Sequence, residues 1–110
     1  MENEIHITED MAANGLAALG NKTRLRLYKL LVKAGDEGLS VGEIKSRLKI
    51  PPSTLAHHLA TLTQSELITQ ERQGRAIMSV VNFPMMHGVL AYLTDECCSG
   101  FILTSSDEAA

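Results

Sequence analysis

Residues 40–67, SVGEIKSRLKIPPSTLAHHLATLTQSEL, contain two short amphipathic segments on either side of a tight break at Lys49–Ile50. The following residues 68–81, ITQERQGRAIMSVV, are basic and alternate polar with apolar side chains around a glycine. A helix, a turn, a second helix and a hairpin in this order are typical of a winged helix-turn-helix domain, which binds DNA. We therefore predict a mainly α fold with about five helices and a two-stranded wing, built as a single domain over residues 1–110.

Capping residues mark the ends of the predicted helices. Thr8 and Asn21 have side chains that accept backbone N–H groups at a helix start, and Ser40 with Glu43 matches a capping box. Pro51–Pro52 is expected to begin the fourth helix, because proline is tolerated in a first turn. The predicted elements are helices over residues 9–19, 22–34, from 40 to the turn, 51–65 and 84–98, a loop over 36–38, and strands over 67–72 and 75–82 joined at Gln73–Gly74.

The last predicted helix has an apolar face at helical spacing. Its members are Met86, Val89, Leu90, Leu93 and Cys97. Gly100 is expected to end this region, Phe101–Leu103 to pack back on the domain, and residues 104–110 to fray.

Charge is distributed unevenly along the chain. All ten Lys and Arg residues lie between Lys22 and Arg75 with only five acids, so this window carries +5 within a chain of net charge −3. The flanking segments hold the other eight acids and no Lys or Arg. A basic centre between acidic ends fits a surface that faces DNA phosphates, although solvated charge on helices is the ordinary alternative.

The fourth helix divides into an apolar face and a polar one at about 100° per residue. Leu55, Leu59 and Leu62 are predicted to face the core. The candidate DNA contacts on this helix are Ser53, Thr54, His57, His58 and Gln64. Small or polar residues suit entry into a major groove, and Ser53 also lies in the first turn, where backbone N–H groups suit phosphate. His58 is expected at the boundary, bonded to backbone or phosphate, and plain solvation is the alternative for His57.

Arg72 and Arg75 bracket the tip of the predicted hairpin. Two arginines at this position suit contacts with the DNA minor groove or with DNA phosphates. The alternative is that they are only solvated on the edge of the hairpin. Lys45, with Arg47 and Lys49, provides weaker candidates for phosphate contacts from the preceding helix.

Composition narrows the function class. No apolar run approaches the length of a membrane span, the acidic N-terminus lacks the apolar region of a signal peptide, and the two cysteines are adjacent, so we expect a cytoplasmic protein that needs no cofactor. No Ser/His/Asp set or phosphate loop is present, which argues against an enzyme. The other function class that we consider is a winged-helix module that binds only proteins. Such a module would show no salt-dependent affinity for DNA.

The chain resembles the ArsR/SmtB family of bacterial metal- and stress-sensing repressors over residues 12–98. The motifs are ALGNKTRLR at 18–26, LSVGEI at 39–44, STLAHHL at 53–59 and Gly74–Arg75. The resemblance implies a homodimer formed by the first and last helices, residues 9–19 and 84–98, which binds an inverted repeat in double-stranded DNA and releases it when a ligand or oxidant acts. Where many members have Ser-Gln and a further Ser, this chain has Pro51–Pro52 and Ala56, so its sequence preference is expected to differ.

The sensor is the open part of the prediction. A Cys-x-Cys pair that some members carry at the start of the third helix is replaced by residues 40–42, SVG, and His87 with Asp95–Glu96 lacks the partners of a zinc site in the last helix. Cys97 and Cys98 resemble the terminal cysteine pair of arsenite-responsive members, without their third cysteine, and vicinal thiolates suit a soft ion. Arsenite or antimonite is therefore the leading candidate for the inducer. Thiol oxidation or persulfide sensing, and a thiol-independent repressor with structural cysteines, are the alternatives.

Overall fold

A computed structural model describes residues 6–100 of the chain. Its five helices are α1 Glu9–Leu19, α2 Lys22–Ala34, α3 Val41–Arg47, α4 Pro52–Gln64 and α5 Phe83–Thr94. Its strands are β1 Leu39–Ser40, β2 Ile68–Gln73 and β3 Ala76–Val81, and a short 3-10 turn covers Gly35–Glu37. The predicted mainly α fold with a winged helix-turn-helix is confirmed, and the prediction for the tail beyond residue 100 lies outside the described residues.

The predicted caps account for the observed helix starts. The Thr8 hydroxyl accepts the Met11 N–H at 3.1 Å, and the Asn21 side chain accepts the Arg24 N–H at 3.0 Å. Ser40 and Glu43 form the reciprocal capping box at α3, which satisfies two backbone donors at once. The Glu43 pKa is lowered because its carboxylate accepts the Ser40 backbone N–H and lies beside the Ser40 hydroxyl.

The sheet has three strands, in the order β1-β3-β2, where two were predicted. Leu39–Ser40, where only a helix start at Ser40 was predicted, pairs antiparallel with Ser79 and Met78 of β3. The hairpin turns at Gly74–Arg75, one residue later than predicted, because Gln73 pairs with Ala76. Gly74 has φ 64° at the first central position, as type II′ hairpin turns require.

The core lies between the helices and the inner face of the sheet. Its fully buried residues include Leu27, Leu31, Ile44, Leu55, Leu62, Leu67, Ile68 and Met85. Gly15 lets α1 approach α5, since a Cβ at this position would lie 3.3 Å from Val89 Cγ2. The helix pair α1–α5 therefore forms one flank of the domain, with α4 packed against α1.

Helix α5 is shorter than predicted, and its apolar face is only partly buried. It ends at Thr94, because Asp95 takes an extended conformation and Glu96 and Cys98 have φ of 62°. Met85 and Val89 face the core, while Leu90 and Leu93 are 53% and 56% exposed. Leu90 and Leu93 belong to the predicted apolar face, but they lie on the part of it that is exposed in the described chain.

Candidate nucleic-acid interface

Helix α4 separates core-facing from solvent-facing residues largely as its sequence predicts. Leu55, Leu59 and Leu62 are at most 4% exposed. Ser53, Thr54, His57 and Ala60 lie on the exposed side. Leucines fix the helix on the domain, so a small polar surface remains free to enter a groove.

The first turn of α4 is the part best suited to phosphate. Pro51 is the N-cap and provides no side-chain hydrogen bond, and Pro52 occupies the first turn. A helix start leaves backbone N–H groups without intrahelical partners, and a polar N-cap residue normally satisfies one of them. Within the described chain, this helix start is therefore left open to an external anion, and the Ser53 and Thr54 hydroxyls lie beside it.

The structure buries His58 more deeply than the boundary position predicted for it. This side chain is only 6% exposed, and its Nδ1 lies 3.4 Å from Nη1 of Arg24. Burial lowers the His58 pKa, and the positive charges of Arg24 and His57 lower it further. The His58 imidazole therefore faces Arg24 inside the domain and is less accessible to DNA than His57. Its neighbour His57 is exposed, with the two ring centroids 6.0 Å apart.

Gln64 is exposed but lies at the end of α4 away from Ser53. It lines a cavity with Asn14 and Ala17 of α1. Residues 53 and 64 are separated by about 16 Å along a helix that rises 1.5 Å per residue. Because recognition helices contact bases with their N-terminal residues, Gln64 is poorly placed for the contact predicted for it.

The wing presents both predicted arginines. Every residue from 69 to 77 is exposed. Arg72 pairs with Ile77 near the tip and Arg75 lies in the turn itself. Both arginines thus lie at the end of the hairpin that projects from the sheet. This position suits contacts with the phosphates of a DNA backbone.

Sequence reasoning missed one basic residue beside the turn between α3 and α4. Thr23 and Arg26 of α2 line a recess of about 130 Å³ together with Lys49. Lys45 is exposed on α3. Periodicity marks Arg26 only as a solvent-facing position of α2, and its nearness to Lys49 depends on how α2 packs.

The two cysteines lie just beyond α5 and are both exposed. Their sulfur atoms are 3.3 Å apart. The Cys97 N–H donates to the Thr94 carbonyl at 2.8 Å, so Cys97 is held at the helix end. No cluster of three or more His, Cys, Asp or Glu residues suited to a metal occurs between residues 6 and 100, so the described chain provides a pair of thiols and no third ligand.

Comparison with known proteins places this geometry in a family. A helix-turn-helix domain model matches residues 19–71. The chain is 30% identical to the transcriptional repressor PagR of Bacillus anthracis over 78 residues, which are 71% of this chain and 76% of PagR. It is also 37% identical to the putative arsenical resistance operon repressor ArsR of Halobacterium salinarum over 60 residues, 54% of this chain and 46% of that protein. The chain belongs to the ArsR/SmtB family of winged helix-turn-helix regulators.

A solved structure shares the fold of this chain. HlyU from Vibrio cholerae superposes with a TM-score of 0.61 at 27% identity, covering 79% of this chain and 97% of that one. In sequence, the transcriptional activator HlyU is 36% identical over 62 residues, 56% of this chain and 55% of its own length. The sequence matches thus span about half the length of the arsenical repressor and of HlyU. These relatives are named as transcriptional repressors and activators.

Two further observations describe this ArsR/SmtB regulator. Residues 40–42, where some members have thiolates, form the cap and first turn of α3. None of the helices between residues 6 and 100 has both the length and the apolarity that crossing a membrane requires.

Proposed function

We propose that this regulator is a homodimeric repressor that binds an inverted repeat with α4 in the major groove and with the wing on the backbone. The observation that carries the proposal is α4 itself, whose leucines are buried while Ser53, Thr54 and His57 remain exposed beside an open helix start. Arg72 and Arg75 add positive charge at the wing. Repression would follow from occlusion of the promoter by the bound dimer.

Exposed apolar side chains support the dimer. Leu16 on α1 is 41% exposed, and Leu90, Tyr92 and Leu93 on α5 are 40–56% exposed. Helices α1 and α5 pack together, so these residues lie on one flank of the domain. Large apolar side chains gathered on one flank are favoured as interaction sites. Two domains joined there would present two copies of α4 to successive major grooves, about 34 Å apart.

Arsenite or antimonite at Cys97 and Cys98 is the proposed inducer. With metal–sulfur bonds of about 2.3 Å, a sulfur separation like the observed one corresponds to an S–metal–S angle of roughly 90°, which suits a pyramidal trivalent ion. Each arsenic–sulfur bond would replace one hydroxide of arsenous acid, and the thiol proton would leave with that hydroxide as water. A third sulfur would come from the partner subunit or from a small thiol.

Release would follow from coupling between the cysteines and the dimer flank. Cys97 is bonded to the end of α5, so ion binding there would bias the position of α5. A small shift at a helical interface suffices, provided that the ion binds the DNA-free state more tightly than the DNA-bound state. Oxidation to an inter-subunit disulfide would act at the same place.

Selection of an operator from random DNA, followed by fluorescence anisotropy at two salt concentrations, tests DNA binding. We expect affinity to fall steeply with salt, because phosphate contacts release counterions. A protein without salt-dependent affinity would be an interaction module instead. Sedimentation of wild type and Leu93→Asp tests the dimer, and a monomeric wild type would contradict it.

The inducer is tested by titrating arsenite, antimonite, zinc and peroxide separately into the protein–DNA complex. Release by arsenite or antimonite, lost in the Cys97→Ser, Cys98→Ser protein and kept in Ser99→Ala, would support the thiol sensor. Release by peroxide alone would support oxidation. Arsenite-driven release that persists in the double variant would contradict the proposed site.

A further inference from the structure

A second recess lies on the side of the domain where α1, the start of α2 and the end of α4 meet. It has a volume of about 310 Å³ and is lined by Asn14, Ala17, Ala18, Arg24, Thr61, Gln64 and Ser65. Small-molecule sites in proteins begin at about 300 Å³. The lining combines alanine methyl groups with amide and hydroxyl side chains, and it holds one charged group, the Arg24 guanidinium.

Arg24 is fixed in place by two hydrogen bonds. Its Nε donates to the Ala18 carbonyl at 2.6 Å, and its Nη1 lies 3.4 Å from the His58 Nδ1. Because His58 is buried and its pKa is lowered, its neutral ring accepts this hydrogen bond. The guanidinium has five N–H donors, so donors remain for another partner. It is thus a pre-positioned cation rather than a freely moving surface side chain.

The charge of Arg24 is not balanced within the recess. No acidic side chain is among the described residues that line it. Partly buried charges are normally paired, and a planar guanidinium matches a carboxylate with two parallel hydrogen bonds. The surrounding amides and hydroxyls can donate to or accept from hydroxyl or carbonyl groups on the same molecule.

We propose that this recess binds a small polar organic carboxylate, of the hydroxy-acid or keto-acid kind, with its carboxylate on Arg24. Asn14 of α1 and Thr61 and Gln64 of α4 surround the remainder of the molecule. The ligand therefore connects a helix of the outer flank with the helix that carries the DNA-facing residues.

A consequence for DNA binding rests on the proposed function. A ligand that contacts α1 and α4 together stabilises one relative placement of these helices. Operator affinity then changes by the ratio of the ligand's affinities for the DNA-bound and the DNA-free states. This input is separate from Cys97 and Cys98, so one regulator would respond to two chemically unrelated signals.

Binding is tested without DNA, so the result does not depend on the proposed function. Full-length ¹⁵N-labelled protein is titrated with malate, with the neutral analogue malamide, and with inorganic phosphate, and amide chemical shifts are followed. Gln64→Glu places a carboxylate in the recess to pair with Arg24, and Thr63→Glu adds the same charge at an exposed α4 position outside it. Both changed positions are exposed, so both variants are expected to fold.

We expect saturable malate shifts at Asn14, Thr61 and Ser65, no response to malamide, at least tenfold weaker malate binding in Gln64→Glu, and unchanged binding in Thr63→Glu. Absence of saturable malate binding, equal weakening in both variants, or saturation by phosphate alone would overturn the assignment. Anisotropy of the wild-type operator complex with and without malate then measures the coupling to DNA. An operator complex unaffected by malate would remove only the regulatory consequence.

Discussion

Gly38 is the position where a single methyl group should do most damage to the link between the helix-turn-helix and the wing. The residue has φ 70° and ψ −168° and leads directly into β1. A Cβ there would collide with the Ser79 carbonyl of β3 and would lie 2.7 Å from Val80 Cγ2. Gly38→Ala must therefore strain the backbone and separate β1 from β3.

Gly35 provides a matched control, since it has nearly the same backbone conformation, φ 72° and ψ −148°, with nothing within 4 Å of an added Cβ. Gly35→Ala isolates the cost of the backbone conformation, about 1–3 kcal/mol. Gly38→Ala adds the cost of forcing an atom into packed structure, again about 1–3 kcal/mol. The free energy of unfolding should thus fall by roughly 2–6 kcal/mol in Gly38→Ala, with slight relief in both variants from a stiffer unfolded chain.

Urea denaturation followed by circular dichroism measures both losses at one protein concentration. The Gly38→Ala midpoint should lie clearly below that of Gly35→Ala, and the melting temperature should fall by about 4–8 °C for each kcal/mol lost. Equal losses in the two variants would refute the reasoning, because β1 would then yield to the methyl group without cost.

Three other perturbations have predicted outcomes. Arg75→Gln should reduce the slope of log affinity against log salt by about 0.9 per lost phosphate contact, about 1.8 for a dimer, while Lys33→Gln at the far end of α2 leaves it unchanged. Tyr28→Phe should leave the free energy of unfolding unchanged or raise it by up to about 1 kcal/mol, because the buried hydroxyl has no hydrogen-bond partner in the described chain. His58→Asn should weaken the fall in the free energy of unfolding below pH 6.5, because the folded-state pKa of His58 is lowered from 6.5.

The signs of the two pH effects are opposite. Burial raises the Tyr28 pKa from 10.0 to about 12, so its titration contributes fully to the free energy of unfolding below pH 10. That contribution is lost between pH 10 and 12 in wild type, and Tyr28→Phe shows no such loss. As pH falls, His58 is protonated in the unfolded state before it is protonated in the folded state. Its contribution to the free energy of unfolding is therefore complete above pH 6.5 and is lost as pH falls. Urea titrations across pH check both. The Tyr28 prediction is wrong if Tyr28→Phe lowers the free energy of unfolding by more than about 1 kcal/mol. The His58 prediction is wrong if stability depends on acid pH equally in wild type and His58→Asn. The Arg75 prediction is wrong if Arg75→Gln and Lys33→Gln give equal slopes of log affinity against log salt.

Local chemistry made much of the fold predictable. Thr8, Asn21 and the Ser40–Glu43 box set three helix starts, because a side-chain acceptor three residues before a backbone donor acts without help from distant residues. The leucines of α4 also located its buried face correctly. The third strand was not predicted, since a two-residue segment has no periodicity and becomes a strand only through pairing with β3.

The sequence by itself determined that five helices and a hairpin form, where α1 and α2 begin and end, and that α4 carries a polar face beside a leucine face. These properties depend on neighbours within one or two helical turns. Only the tertiary structure decided that His58 is buried against Arg24, that Gln64 borders a recess near α1, and that Leu90 and Leu93 are exposed on α5. The physical reason is that helical spacing fixes the angle between side chains on one helix, whereas burial depends on which other helix packs against that angle.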